Sequence, residues 1–227
     1  MGWPVMIFAA GLGTRMKQLT KDRPKPMIEV GGTPLIDHAL ALAEGLPAEK
    51  VVINLHYKAE VLQAHLKDRH VTLVVETPDI LDTGGGLRNA LPELGTDPVF
   101  TLNSDAIWGG GNPLHQLAAA WDPDRMDGLL ACVSKKNTVG YERPGSFIPD
   151  ASGRITRGDG LVYGGAQIIK TDRLCEIAET TFSLNRLWDL LIAENRLYAV
   201  EYDGKWCDVG HPAGIPLAAS VLAAQDV

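Results

Sequence analysis

Cysteine is scarce. Only Cys132, Cys175 and Cys207 occur among 227 residues, and no C-x-x-C pair is present. An odd, widely spaced set argues against a disulfide framework or a zinc site and fits a reducing cytosol. Long apolar runs are missing too: no stretch approaches the ~20 residues a membrane-spanning helix needs. The N-terminal "MGWPVMIFAAG" has no basic segment, and its apolar run is too short for a signal peptide. Met6 stands where a myristoylation motif wants Ser or Thr. Positive charge is in deficit, with 21 Lys and Arg against 28 Asp and Glu and a formal net charge of -7. Without a sustained basic stripe, neither nucleic acid nor a membrane is an expected partner. A site for anionic ligands would therefore have to be local. No G-x-S-x-G elbow and no H-x-x-x-H pair occurs.

What is present is alternation. "PVMIF", "KVVINLH", "VTLVVE" and "PVFTLNS" read as buried strands. Between them, "TPLIDHALALAEGL" and "KAEVLQAHLKDR" carry apolar residues at helical spacing. This rhythm predicts an α/β fold with a mostly parallel sheet and helices on both faces. Further on, "NPLHQLAAAW", "LNRLWDLLIAEN" and "GIPLAASVLAAQ" read as helices, and "GLLACVSK", "LVYGGAQIIK" and "LYAVEYD" as strands. A hairpin is expected in "GSFIPDASGRITR", turning at Asp150 to Gly153. The simplest organisation is one domain over residues 1–227. Its first half, to about 110, would carry the ligand crevice beyond the strands' carboxyl ends. Its second half, from about 111, would carry a small β elaboration.

Local charge appears directly after the first strand. "IFAAGLGTRMKQLTKDRPKPM" holds Arg15, Lys17, Lys21, Arg23 and Lys25. In a parallel α/β sheet ligands bind beyond the strands' carboxyl ends, where this segment begins. Gly11 and Gly13 let a backbone approach a ligand closely, and successive N–H groups can converge on phosphate. The segment is neither a P-loop nor a dinucleotide fingerprint, because no Gly-Lys-Ser/Thr follows and Met16 replaces the last glycine. A tight turn with a solvated arginine is an equal reading of these residues alone. Pro24 and Pro26 restrict the backbone around Lys25 and favour an extended conformation. Asp105 follows an apolar strand and Asp208 lies in "KWCDVGH". Two such carboxylates could share one Mg²⁺ or be ordinary turn residues.

Taken together, "AAGLGTRM", "PKPMIEVGGTPLI", "DTGGGLRNAL", "LNSDAIW" and "WCDVGH" occur in the order found in sugar-1-phosphate nucleotidylyltransferases, and the chain resembles that family over most of its length. Gly84-Gly85-Gly86 and the lack of a C-terminal β-helix are most similar to the N-acetylmuramate-1-phosphate uridylyltransferase branch, from bacterial cell-wall recycling. The resemblance implies a Rossmann-like α/β/α nucleotidyltransferase fold, with nucleotide bound by the first half, to about 110, and the sugar by the second, from about 111. It also implies Mg²⁺-dependent transfer from a nucleoside triphosphate, UTP in this branch, to a sugar 1-phosphate, with pyrophosphate released. Ala10, Gly11, Gly13, Thr14 and Arg15 would hold the triphosphate, with Arg15 on the departing pyrophosphate. Lys25 would contact the α-phosphate, and Asp105 and Asp208 would bind Mg²⁺. A Thr83-Gly84 turn and Asn103 would lie near the nucleoside, and Gly145, Asp159 and Gly165 near the sugar. Many pyrimidine-specific relatives carry Gln six residues before the threonine of the glycine turn, where this chain has Thr77. Without a β-helix to build trimers, a monomer or homodimer is expected.

Within the same class, a mannose- or heptose-1-phosphate guanylyltransferase or a phosphocholine cytidylyltransferase would share the loop and both aspartates. A Rossmann oxidoreductase would need a third glycine and an acid after strand two, where Asn54-Leu55-His56 stands. A non-catalytic sugar-nucleotide sensor would be expected to lose an aspartate or the lysine, yet all are present.

Overall fold

A computed structural model describes residues 2–95 and 98–224. The first half contains β1 (Trp3–Phe8), a short pair β2 (Glu29–Val30) and β3 (Thr33–Pro34), α1 (Leu35–Glu44), β4 (Ala48–Leu55), α2 (Ala59–Leu66), β5 (Thr72–Val75), α3 (Asp82–Leu94) and β6 (Val99–Asn103). There follow β7 (Ala106–Gly109), α4 (Pro113–Ala120), β8 (Gly128–Val133), β9 (Thr138–Val139), β10 (Phe147–Pro149) and β11 (Ile155–Arg157). The chain then forms β12 (Val162–Ile169), α5 (Asn185–Ala193), β13 (Leu197–Glu201), β14 (Lys205–Asp208) and α6 (Gly214–Ala223).

Seven strands form the central sheet in the order β13-β8-β12-β6-β1-β4-β5. β12 runs antiparallel to both neighbours, and the other pairings are parallel. Alternate residues of β1 explain the three layers. Val5 and Ile7 pack with Ile36 and Leu40 of α1, Leu62 of α2 and Leu114 of α4. Met6 packs on the other side, in one cluster with Leu87 of α3 and Leu187 of α5. Burying both faces explains why these strands read as unbroken apolar runs. Asn112 caps α4 by accepting from the Leu114 N–H at 2.9 Å, with Pro113 at the first helical position. The expected hairpin is β10–β11, closed by Asp150 N–H to the Arg154 carbonyl at 2.8 Å.

One local expectation needs correction. The run Asp82-Thr83-Gly84-Gly85-Gly86 is not a turn but the first part of α3. Its glycines are packing devices. A Cβ on Gly84 would enter the Phe182 ring, and one on Gly86 would stand 2.6 Å from Glu76 Oε1. The helix tolerates its glycines because only a bare backbone fits between these neighbours. The Gly164-Gly165 pair lies within β12, in a register shift between Tyr163 and Ala166.

A second sheet, β7-β14-β9, stands apart with α6. Its apolar cluster joins Ile107, Cys207, Val209, Ala218 and Val221 to Met16, Ile28 and Val30. This small core therefore lies under the basic segment and ties it to the two aspartates. Among the described residues no helix is long and apolar enough to cross a membrane.

Candidate active site

β1, β4 and β6 are parallel neighbours, so their carboxyl ends open on one edge of the sheet. Polar side chains floor that edge. Asn54, at the end of β4, accepts from the Ala9 N–H at 2.9 Å and donates to Glu76 Oε1 at 2.7 Å. Glu76 Oε2 accepts from the Leu81 N–H at 2.8 Å. Asn54 and Glu76 are both buried. These bonds satisfy groups that burial would otherwise penalise, and they fix the loop after β1. Above them lies a cavity of about 200 Å³ lined by Ala10, Gly11, Lys25, Asn54, Thr83, Asn103 and Asp105 among others.

Gly13 closes the loop. Its φ of 63° is left-handed, and a Cβ there would stand 2.9 Å from the Lys25 Cβ. The loop thus crosses directly over the lysine. Met16 is fully buried beneath it and anchors the 3₁₀ segment Thr14–Thr20. Pro24 is extended as expected, but Lys25 is not: it begins a 3₁₀ turn over Lys25–Met27. The reason is local bonding, with the Ile28 N–H donating to the Lys25 carbonyl at 3.0 Å. Lys25 is only 8% exposed, and its Nζ lies 2.7 Å from Asp105 Oδ2.

The two aspartates meet through strand register. Asp208 pairs with Ala106 across β14 and β7, and the Val209 N–H donates to the Asp105 carbonyl at 2.9 Å. Burial pushes the Asp208 carboxyl above its ordinary range, and repulsion from Asp105 adds to this. Lys25, Arg143 and Arg15 pull the other way. Arg143 Nη2 is 3.0 Å from Asp208 Oδ2. A Cβ on Gly210 would lie 2.8 Å from Asp208 Oδ2 and 3.2 Å from Arg15 Nη1. Gly210 thus leaves room for the arginine to reach the carboxylate. The two carboxylates are the oxygen ligands a hard divalent ion takes alongside phosphate and water, and the three cations around them suit the phosphates themselves. Among the described residues no set of three or more His, Cys, Asp or Glu groups could hold a metal.

The cavity therefore unites Ala10, Gly11, Lys25, Thr83, Asn103 and Asp105. Arg15 and Asp208 stand beside one another and couple to this group electrostatically. Thr14 lines a separate surface hollow with Lys17 and Lys21. Gly84 does not open on the cavity, and its N–H donates to the Phe182 carbonyl at 2.9 Å. Gly165 is buried against Asn103, where a Cβ would come within 2.9 Å of the asparagine side chain. Asp159 is held between Lys135 Nζ and the Gly145 N–H, each at 2.7 Å. Sequence reasoning missed Asn54, Glu76 and Arg143 as site residues. The first two were reachable, since Asn54 is the penultimate residue of β4 and Glu76 directly follows β5, both at the ligand-bearing edge. Arg143 sits in a loop with no local signal.

A comparison with known families matches residues 5–223 to the MobA-like NTP transferase domain. The chain belongs to this family. It is similar to the N-acetylmuramate α-1-phosphate uridylyltransferase of Caulobacter vibrioides, with 39% identity over 96% of both chains. The enzyme of that name from Neisseria meningitidis is 30% identical over 90% of this chain and 92% of its own. Among solved structures, a glucose-1-phosphate thymidylyltransferase assigned in Bacillus anthracis superposes with a TM-score of 0.80, covering 100% of this chain and 96% of that one. At 15% identity that likeness concerns the fold, which is the expected Rossmann-like α/β/α arrangement. This MobA-like chain is an enzyme, a sugar-1-phosphate nucleotidyltransferase, as its motifs implied.

Proposed function

We propose that the protein transfers the uridylyl group of UTP to N-acetylmuramate 1-phosphate with Mg²⁺, releasing pyrophosphate. The observation that carries this reading is the meeting of Asp105 and Asp208 beside Lys25 and Arg15, at the mouth of the sheet. Similarity to the Caulobacter and Neisseria enzymes along nearly the whole chain supports the choice of base and sugar.

In the reaction an oxygen of the sugar phosphate attacks the α-phosphorus in line. One P–O bond forms there as the bond to the bridging oxygen of the β-phosphate breaks. Pyrophosphate leaves with that oxygen. No covalent enzyme intermediate is required, so the protein contributes positioning and charge. The backbone of Ala10, Gly11, Gly13 and Thr14 holds the triphosphate. Arg15 meets the departing pyrophosphate. Lys25, fixed between the glycine loop and Asp105, meets the α-phosphate. Asp105 and Asp208 would hold Mg²⁺, whose charge would offset repulsion between the two anionic reactants. Thr83 and Asn103 border the nucleoside, while Gly84 and Gly165 act through packing. Gly145 and Asp159 border the sugar. The nucleotide half and the sugar half work as one domain.

Pyrophosphate release tests the reading, with four nucleoside triphosphates each paired with N-acetylmuramate, N-acetylglucosamine, glucose and mannose 1-phosphates. UTP with N-acetylmuramate 1-phosphate is expected to turn over fastest. Faster release from GTP with mannose 1-phosphate would overturn it.

A further inference from the structure

A second cavity, of about 310 Å³, adjoins the first and shares Asp82, Thr83 and Asn103 with it. It extends into the second half of the chain, where Ser146, Tyr163 and Trp188 line it. This is the space a sugar would occupy beyond the nucleotide. Arg157, at the end of β11, is the one cationic side chain among the described residues lining it.

The guanidinium is held from several sides. Its Cζ lies 4.9 Å from the centre of the Phe147 ring and 5.6 Å from that of Trp188. Asp189 Oδ1 accepts from its Nε at 3.0 Å and from Nη2 at 2.8 Å. The Asn185 carbonyl accepts from Nη2 at 3.3 Å. Trp188 is itself locked, since its indole N–H donates to Gln167 Oε1 and the Gln167 amide donates to Thr101 Oγ1, each at 2.9 Å. Those bonds use one edge of a five-donor group and leave Nη1 without a hydrogen-bond partner among the described residues. Arg157 remains 39% exposed at the cavity wall. A cation fixed in plane by two rings and one carboxylate, with donors to spare, suits a second carboxylate.

We propose that Arg157 selects sugar 1-phosphates bearing a carboxylate, and that it binds the acid of the ether-linked lactyl group which separates N-acetylmuramate from N-acetylglucosamine. This assignment rests on the function proposed above and deepens it. A simpler role exists for the same residue, as a strap joining β11 to α5 through Asp189. The two roles differ in what they do to selectivity. A strap affects both sugars alike, whereas a carboxylate contact affects only the charged one.

The test is the ratio of kcat/KM for N-acetylmuramate 1-phosphate to that for N-acetylglucosamine 1-phosphate, with UTP, in wild type, Arg157→Gln, Arg157→Lys and Asp189→Asn. Loss of one charge-assisted contact lowers the ratio about 10- to 100-fold in Arg157→Gln. The change should fall mainly on KM for the acidic sugar. Arg157→Lys should retain part of the preference, and Asp189→Asn most of it. Each variant supplies its own folding control, because both sugars are measured on the same preparation. If wild type prefers N-acetylmuramate 1-phosphate and Arg157→Gln keeps that ratio, the assignment fails while the proposed function stands. If wild type uses the uncharged sugar equally well or better, both fail.

Discussion

Lys17 and Lys25 belong to the same basic segment and stand in opposite settings. Lys17 is exposed with a left-handed φ of 54°, whereas Lys25 is buried against Asp105. A charge placed with little solvent around it acts on a phosphate far more strongly than one in water. Lys25→Ala is expected to lower kcat by roughly 100-fold or more, the usual cost of removing a preorganised donor. Lys17→Ala should change it by less than about threefold, since an exposed cation adds mainly to the long-range field. Initial rates of pyrophosphate release at saturating substrates measure both. Equal losses would show that the segment acts as a diffuse patch. The acidic pair makes a separate prediction. Asp208→Asn keeps the shape and removes the charge, so the Mg²⁺ concentration giving half-maximal rate should rise by roughly tenfold or more. A variant with wild-type Mg²⁺ dependence would rule out Asp208 as a metal ligand.

At the scale of elements, α3 separates what composition reveals from what packing decides. Three successive glycines argue against a helix, each costing about 1 kcal/mol relative to alanine. α3 forms because Phe182, Glu76 and Asn54 press on a backbone without side chains. Gly86→Ala therefore sets two effects against each other. Helix propensity favours the alanine by about 1 kcal/mol. Its methyl, however, would stand 2.6 Å from Glu76 Oε1 and 2.9 Å from Asn54 Nδ2, two buried groups held by other bonds. Overpacking of this kind costs about 1–3 kcal/mol, so net destabilisation is expected in urea unfolding, with nucleotide binding weakened as well. A stabilised protein would mean that the floor yields. The same contrast explains how much was legible beforehand. β1, β4 and β6 announce themselves because strands buried on both faces are continuous apolar runs, and β5, a partly buried strand at the sheet's edge, is apolar as well. Lys25, Asp105 and Asp208 were legible as chemistry beside glycine, proline or strand ends. Their meeting was not, because it depends on the register of β14 against β7, a pairing between segments about a hundred residues apart. Arg143 and Arg157 gave no signal for the same reason: their partners, Asp208 and Asp189, are distant in the chain.

The whole molecule must keep its two halves in one sheet, and a charged clamp lies where three of its strands come together. Asp127 precedes β8, Lys170 follows β12 and Arg196 precedes β13. The Asp127 carboxylate accepts from Lys170 Nζ at 2.8 Å and from Arg196 Nε at 3.0 Å and Nη2 at 2.9 Å. β12 runs opposite to β8 and β13, so all three residues fall at the same end of the sheet. That end is opposite the carboxyl ends of β1, β4 and β6 that frame the site. Changing the clamp should alter stability without touching chemistry. Arg196, and after it Lys170, lower the Asp127 pKa from 3.8 to about 2, against an opposing contribution from burial. A carboxyl whose pKa is lower folded than unfolded stabilises the folded state at pH above its unfolded value. That contribution is lost as pH falls through the folded value. Asp127→Asn should thus cost about 1–2 kcal/mol at pH 7, less than two full charge-assisted bonds because water reaches the group. The gap between variant and wild type should narrow from about pH 4 downward and nearly close by about pH 2. Paired urea unfolding at pH 7, 4 and 2.5 measures the gap at each step. A constant gap would assign the clamp's effect to shape and hydrogen bonding rather than charge. At pH 7, kcat with saturating substrates should match wild type, since the three strands are joined at the end of the sheet remote from the reacting phosphates.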